Sequence, residues 1–357
     1  MRPAAPNSGS VFERVLITGG CGFLGCNIAD RLAKEGRHVI LFDNMARDGA
    51  EENAQWLKRR HPGRVAVEVA DVRHYDAVCS AVRECTAVLH LAAQVAVTTS
   101  VEDPFADFEV NARGTLNLLE ALHRHNPLAP MIFASTNKVY GKLLEDDAVT
   151  RKGDRYVPLN AALLGGISEA TPIDFYSPYG CSKGAADQYV RDYARVFSLR
   201  TLVLRMSCIY GPRQFGTEDQ GWVAHFMRRA IRAQPITLYG SGFQVRDVLF
   251  VDDAVDAWIR GLERIDAVSG SIFNLGGGDA NAVSLLEMTR LMAAQLGSKL
   301  EWCFAKERPG DQPWYVSDIS AIASALDWTP RTALPEGLQQ LECWLESRFG
   351  HLAATAA

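Results

Sequence analysis

The chain has 357 residues, 48% of them hydrophobic, which is enough for a sizeable buried core built as one large domain or two intimate lobes. A formal net charge of -5 offers no basic face to nucleic acid or an anionic membrane, so neither is expected as a partner and a small molecule is. Eight cysteines, at 21, 26, 79, 85, 181, 208, 303 and 343, include no CxxC pair and no histidine at ligand spacing, which predicts reduced thiols in a cytoplasm and no metal site.

Residues 1–13 are small and polar with two prolines and read as a disordered tail, and 351–357 read as a C-terminal tail. No stretch is long and apolar enough to predict a membrane span. Arg14-Val15-Leu16-Ile17-Thr18 is a short apolar run that ends in a glycine cluster, with an amphipathic stretch at 27–35 after it: strand, turn, helix. Further apolar runs at 38–42, 65–69, 87–91, 131–134 and 201–204 alternate with helical patterns such as 114–123 and 185–197. Strands alternating with helices predict an α/β fold with a doubly wound parallel sheet.

An irregular segment at 142–176 precedes the second helical pattern, and its length predicts a functional or mobile insertion. From about Ser207 the rhythm breaks into Gly/Pro punctuation, with helices expected at 285–296 and 335–349. The run 248–251 and a helix at 252–264 are expected to return to the sheet. The domain plan is therefore discontinuous: a nucleotide-binding domain of 14–206 plus about 247–276, and a smaller substrate-binding lobe of 207–246 plus about 277–350.

Gly19, Gly20, Gly22, Phe23, Leu24 and Gly25 lie between the first strand and first helix in both GxGxxG and GxxGxxG spacing. Glycines there permit a tight turn and let backbone N–H groups and a helix N-terminus meet a pyrophosphate. Asp43 closes the second strand at the separation where a carboxylate accepts from both ribose hydroxyls and repels a 2′-phosphate, so NAD is expected rather than NADP. Asn44 beside it is assigned to the same site. Asp71 and Val72, at the end of the third strand, are candidate adenine neighbours, with a helix N-cap as the other reading of Asp71.

Tyr179 and Lys183 are four apart, on one face of a helical turn. A phenol near pKa ~10 is a poor base, and an adjacent ammonium with a cationic nicotinamide is expected to lower that value so that Tyr179 takes a hydroxyl proton. The strand at 131–134 runs on into Ser135 and Thr136, whose hydroxyls at a strand's carboxyl end can hold a substrate oxygen against the tyrosine. Cys181, between the catalytic pair, is expected to pack and not to react.

Together with Leu91-Ala92-Ala93 and Asn111-Ala112-Arg113-Gly114-Thr115, these motifs resemble the extended short-chain dehydrogenase/reductases, in their NAD-dependent epimerase/dehydratase family, over nearly the whole chain after residue 13. The strings at 94–100, 135–141, 177–189, 213–215 and 219–222 are similar to the branch that inverts C2 of CDP-sugars. The resemblance implies a Rossmann-type fold with a smaller C-terminal lobe, bound NAD, a nucleotide-sugar substrate, and a homodimer or homotetramer built on helices near 111–123 and 179–197. It matches Thr136, Tyr179 and Lys183 to the catalytic triad and adds Leu91, Ala92 and Ala93 to the cofactor site.

It also implies that Arg246 and Arg308 grip the diphosphate, a task that suits a planar guanidinium fork. Gln94, Thr98, Ser135, Thr136, Asn137 and Gln214 are the expected sugar-side contacts. A 4,6-dehydratase needs an Asp-Glu pair after the triad hydroxyl, whereas this chain has Asn137-Lys138, so dehydration is not expected. The reaction read from the sequence is epimerisation, at C2 of a CDP-sugar or, as the alternative, at C4 of a UDP- or other NDP-hexose. A non-catalytic NAD-binding module is the reading from another class.

Overall fold

The computed structural model describes residues 12–308 and 310–350. The tails expected at 1–13 and 351–357 lie outside these residues except for Phe12 and Glu13, and Phe12 is buried in the hydrophobic core, where a tail residue was expected.

Seven parallel strands form the central sheet: β1 (Arg14–Thr18), β2 (His38–Asp43), β3 (Val65–Val69), β4 (Ala87–His90), β5 (Met131–Thr136), β6 (Thr201–Met206) and β7 (Ser271–Leu275). Their spatial order is β7-β6-β5-β4-β1-β2-β3. The chain leaves β1 in opposite directions towards β2 and β4, so a crevice opens beyond the carboxyl ends of these two neighbours, at Thr18 and His90. Every residue of β4 and β5 is buried, which is why both read as unbroken apolar runs and not as alternating patterns.

The first helix, α1 (Phe23–Lys34), starts four residues before the stretch expected at 27–35. Its first turn is the glycine motif itself, held under the loop, so it lacks the amphipathic contrast on which the reading relied. Next come α2 (Ala50–Arg60) and α3 (Gly114–His125), the latter preceded by a π-turn over Glu109–Arg113. Helix α4 (Pro178–Phe197) begins seven residues before the pattern at 185–197, because the Ser177 hydroxyl caps it, accepting from Gly180 N–H at 3.2 Å, and Pro178 fits the first turn.

The chain's return to the sheet differs from expectation. Val245–Phe250 stays in the second lobe, where it pairs with Cys208–Tyr210, Ala282–Ser284 and Trp314–Tyr315. The strand that rejoins β6 is β7. Between them α5 (Val251–Glu263) packs on α1, and a Cβ at its Gly261 would lie 2.9 Å from Leu202. The insertion at 142–176 is likewise structured: Val149–Lys152 and Arg155–Pro158 form a hairpin. Arg155 fastens it to the second lobe with two bonds of 2.7 Å to the Glu287 carboxylate. No helix among the described residues is long and apolar enough to cross a membrane.

Candidate active site

A cleft of about 710 Å³ runs between the two lobes, and the glycine loop forms one end of it. Gly19 has φ +67°, and a Cβ there would lie 2.7 Å from Ala92 N; a Cβ on Gly25 would lie 2.4 Å from Gly19 O. Only glycine lets the strand end, the loop and α1 close up this tightly. No side chain caps α1, so its first N–H groups face the cleft free to meet an anion. Asp43 braces the loop from the side, its carboxylate accepting from Cys21 N–H at 3.0 Å and Met45 N–H at 2.9 Å. These residues fit a dinucleotide.

Asn44, Asp71, Val72, Leu91, Ala92 and Ala93 continue the same wall. Asn44 donates to Asp71 at 2.8 Å and Arg73 forks onto it at 2.9 and 2.8 Å, which holds the Asp71 carboxyl far below the usual carboxylate range.

His90 sits fully buried behind this wall, and its neighbours fix its tautomer. Thr115 gives its only hydroxyl proton to Asn111 O, so His90 Nε2–H donates to Thr115 at 3.0 Å. Nδ1 then accepts from Thr18, 2.7 Å away. Burial pushes this imidazole down to about 3, with Lys183 adding to the fall. The unfolded chain therefore binds one more proton between pH ~6.5 and ~3, and stability is intact above that window and falls as pH drops through it, by up to about 1.4 kcal/mol per pH unit. Denaturant midpoints at pH 7 and 5 check this: the parent should weaken over the interval more than His90→Gln does.

The triad expected from the sequence meets at the centre of the cleft. Thr136 ends β5, Tyr179 and Lys183 lie on the first turns of α4, and all three line the cavity. Tyr179 N–H donates to Ser100 Oγ at 3.1 Å, while Asn111 Nδ2 donates to Ser182 Oγ at 3.0 Å, so the short helix Val97–Glu102 and the π-turn Glu109–Arg113 both pin this turn. Lys183 Nζ stands 4.1 Å over the Phe133 ring.

The electrostatics reverse one expectation. Burial pushes the Tyr179 phenol up to about 12, against a smaller pull downward from the Thr136 hydroxyl, and pushes Lys183 down to about 7. An ammonium was expected to lower the tyrosine; in the chain alone burial outweighs the Thr136 hydroxyl and the Arg47 guanidinium that lower it, and burial drives Lys183 itself towards its neutral form.

Ser135 lines the cleft but is almost fully buried and donates its hydroxyl proton to Asp187 Oδ2 at 2.7 Å, which leaves it only acceptor capacity towards a ligand. Gln94 is corrected. It is not part of the cavity wall, since its amide closes on Ala96 O at 2.8 Å and Ala96 N at 2.5 Å. Thr98, Asn137 and Gln214 do line the cleft, and Thr98 Oγ1 and Gln214 Oε1 are buried without a partner. Cys181, expected to pack, is exposed on the outer face of α4.

Arg246 and Arg308 both reach the cavity, but each is already paired. Arg246 Nη2 is 2.5 Å from Asp311 Oδ1, with Lys138 Nζ 3.7 Å from the same oxygen. Arg308 bonds Glu218 O at 3.1 Å, lies 3.3 Å from Asp219 and stands 3.9 Å over the Tyr239 ring. Any anion that reached either guanidinium would have to compete with its carboxylate. Sequence reasoning did not flag Arg47, Lys138, Cys208 or Trp222 as part of the wall. Signals were present for three of them: Lys138 lies two residues after Thr136, Trp222 closes the 219–222 string, and Arg47 is a cation four residues beyond Asp43.

A model of the NAD dependent epimerase/dehydratase family matches residues 15–276. The CDP-paratose 2-epimerase of Salmonella typhi is 41% identical over 341 residues, 94% of this chain and 99% of that one. The UDP-glucose 4-epimerase of Mycolicibacterium smegmatis is 30% identical over 326 residues, 91% of this chain and 96% of its own. Among solved structures, the Thermus thermophilus UDP-glucose 4-epimerase in complex with NAD is 33% identical and superimposes with a TM-score of 0.78, covering 93% of this chain and 99% of that one.

Proposed function

The chain belongs to the NAD dependent epimerase/dehydratase family, and from that footing we propose that it is a nucleotide-sugar epimerase that inverts C2 of a CDP-sugar. The observation that carries the reading is the set Thr136, Tyr179 and Lys183 gathered in one cleft, with an amide and an ammonium at 137 and 138 where elimination of water would need two carboxyl groups. C2 and CDP rest on the similarity to the Salmonella typhi CDP-paratose 2-epimerase. A C4 epimerase of a UDP-hexose is the second reading, supported by the similarity to the Mycolicibacterium smegmatis and Thermus thermophilus UDP-glucose 4-epimerases.

The dinucleotide would be held by the glycine loop at 19–25, by Asp43 and Asn44, by Asp71 and Val72, and by 91–93. When bound it supplies the hydride acceptor that oxidises the carbinol and the donor that reduces it again. Tyr179, as the phenolate, takes the hydroxyl proton at its oxygen and as the phenol later returns it, Thr136 orients the same sugar oxygen, and Lys183 as the ammonium, together with the positive charge of the oxidised cofactor when bound, favours that phenolate against its burial. Arg246 and Arg308 anchor the diphosphate by displacing Asp311 and Asp219, and with that end fixed the sugar turns to present its other face. Thr98, Asn137 and Gln214 supply hydrogen bonds to it. We assign the cofactor to the unit built on the seven-stranded sheet, 14–206 with about 251–276, and the sugar to the remaining lobe, which keeps Val245–Phe250.

A substrate panel of CDP-paratose, CDP-glucose and UDP-glucose tests the reading. Inversion at C2 of a CDP-sugar is the expected product, whereas inversion at C4 of UDP-glucose alone would move the chain to the second reading. Asp43→Asn should weaken NAD by about tenfold or more and narrow its preference over NADP, since a charged acceptor becomes a neutral one. Titrations with the two cofactors read both effects.

We assign the chain to the cytoplasm, in keeping with cysteines that are all free. We also propose that it is a homo-oligomer. Phe105 (83% exposed), Phe108, Tyr189, Val196 and Phe197 leave apolar surface on the helical face around α4. Light scattering should give a mass of two or four chains, and a monomer would refute the assembly.

A further inference from the structure

Residues 212–221 of the second lobe run along the first lobe beside the nucleotide loop and are fastened to it at successive points. Asn27 of α1 donates to Pro212 O at 3.2 Å. Arg213 lies 4.0 Å over the Trp56 ring, with Nη1 3.8 Å from Glu52. The Phe215 ring presses on Gly49 so closely that a Cβ there would come within 2.2 Å of it. Arg348 stands 5.0 Å over the same ring and pairs with Glu52 at 2.6 Å. The final link is a side-chain hydrogen bond from Arg47 to Gln220.

The last link differs from the others in its setting. Asn44 and Arg47 belong to one side of the cleft, close to Asp43, and Gln214, Asp219 and Gln220 to the other, so the Arg47–Gln220 bond joins the two lobes across the cleft itself. Arg47 is exposed, so the bond can break in solvent while the Phe215 and Arg213 contacts keep the lobes together.

We propose that Arg47 and Gln220 form a clasp that opens to admit the dinucleotide and closes to retain it between turnovers. The inference rests on the reading of the chain as an NAD-dependent epimerase and supplies what that reading requires: the reduced cofactor must stay in place while the sugar turns over. Neither side chain is hydrogen-bonded to the catalytic triad, although the Arg47 charge favours the Tyr179 phenolate, so the clasp is read on cofactor exchange and not on turnover.

The test uses NADH alone, with no sugar present. Cofactor-stripped protein is mixed with NADH and its fluorescence gives the entry rate; an excess of NAD+ chases NADH from the loaded protein and gives the release rate. A clasp slows both directions, so Arg47→Ala and Gln220→Ala should each raise both rates, on the order of fivefold for one exposed charge-assisted bond. The double variant should add little to either single change, since both remove the same bond. Unchanged rates would overturn the proposal. So would faster release with unchanged entry, the signature of a direct contact. A parent chain that binds no NADH would overturn the family reading together with the clasp, whereas normal NADH kinetics without epimerisation would leave the clasp standing.

Discussion

Tyr179→Phe is expected to lower kcat by about 10²–10⁴-fold, the contribution of a positioned general acid–base group. The ring stays, so its buried packing on α4 and the backbone bond to Ser100 are kept, and only the phenol oxygen is lost. With it goes the atom that accepts the sugar's hydroxyl proton on the outward half of the reaction and returns it on the way back. Affinity for NAD should stay within about threefold, because the glycine loop and Asp43 hold most of the dinucleotide. Proton NMR of product formation together with an NAD titration separates the two effects. Full turnover in this variant would remove Tyr179 from the chemistry.

The largest stability effect is expected at Asp187, which is fully buried behind the site on α4. Arg205 of β6 forks onto its carboxylate with two bonds of 2.9 Å, and Ser135 and Gln188 add bonds of 2.7 and 2.8 Å. The far side of Arg205 reaches Tyr140 at 3.1 Å, whose hydroxyl donates to Asn274 of β7 at 2.8 Å. One carboxylate thus ties α4, β5, β6 and β7 together beneath the triad. Asp187→Ala leaves a guanidinium buried with no counter-charge, and such a loss typically costs about 3–5 kcal/mol. Urea unfolding monitored by tryptophan fluorescence measures it. A loss below about 1 kcal/mol would mean that water or a shifted neighbour satisfies Arg205 and that this network does not hold the site.

The sequence carried much of the fold and of the reacting groups, for identifiable reasons. Strands such as Met131–Thr136 are buried on both faces and read as continuous apolar runs. Thr136, Tyr179 and Lys183 lie at short spacings on elements whose type was legible, so their convergence at the crevice followed from a doubly wound sheet. What escaped depends on contacts between distant parts of the chain. Gln94 was expected to face the sugar, and nothing local shows that it folds back on its own loop. Arg246 reads as a free guanidinium until Asp311, 65 residues on, is seen beside it. The direction of the Tyr179 shift depends on how deeply the cleft is buried, which no spacing reveals. The Arg47–Gln220 bond joins residues 173 apart. Ser271–Leu275 joins the sheet although its sequence is less continuously apolar than the 248–251 run, which the second lobe keeps.

The central claim is that one bound dinucleotide removes and restores the same hydride at C2 while the phosphates stay anchored. It is tested most directly with CDP-paratose deuterated at C2, incubated with the purified protein without added NAD and followed by proton NMR. The account predicts a C2-inverted product that keeps its deuterium, because the hydride never leaves the cleft. Loss of the label to solvent, or inversion at another carbon, would contradict it.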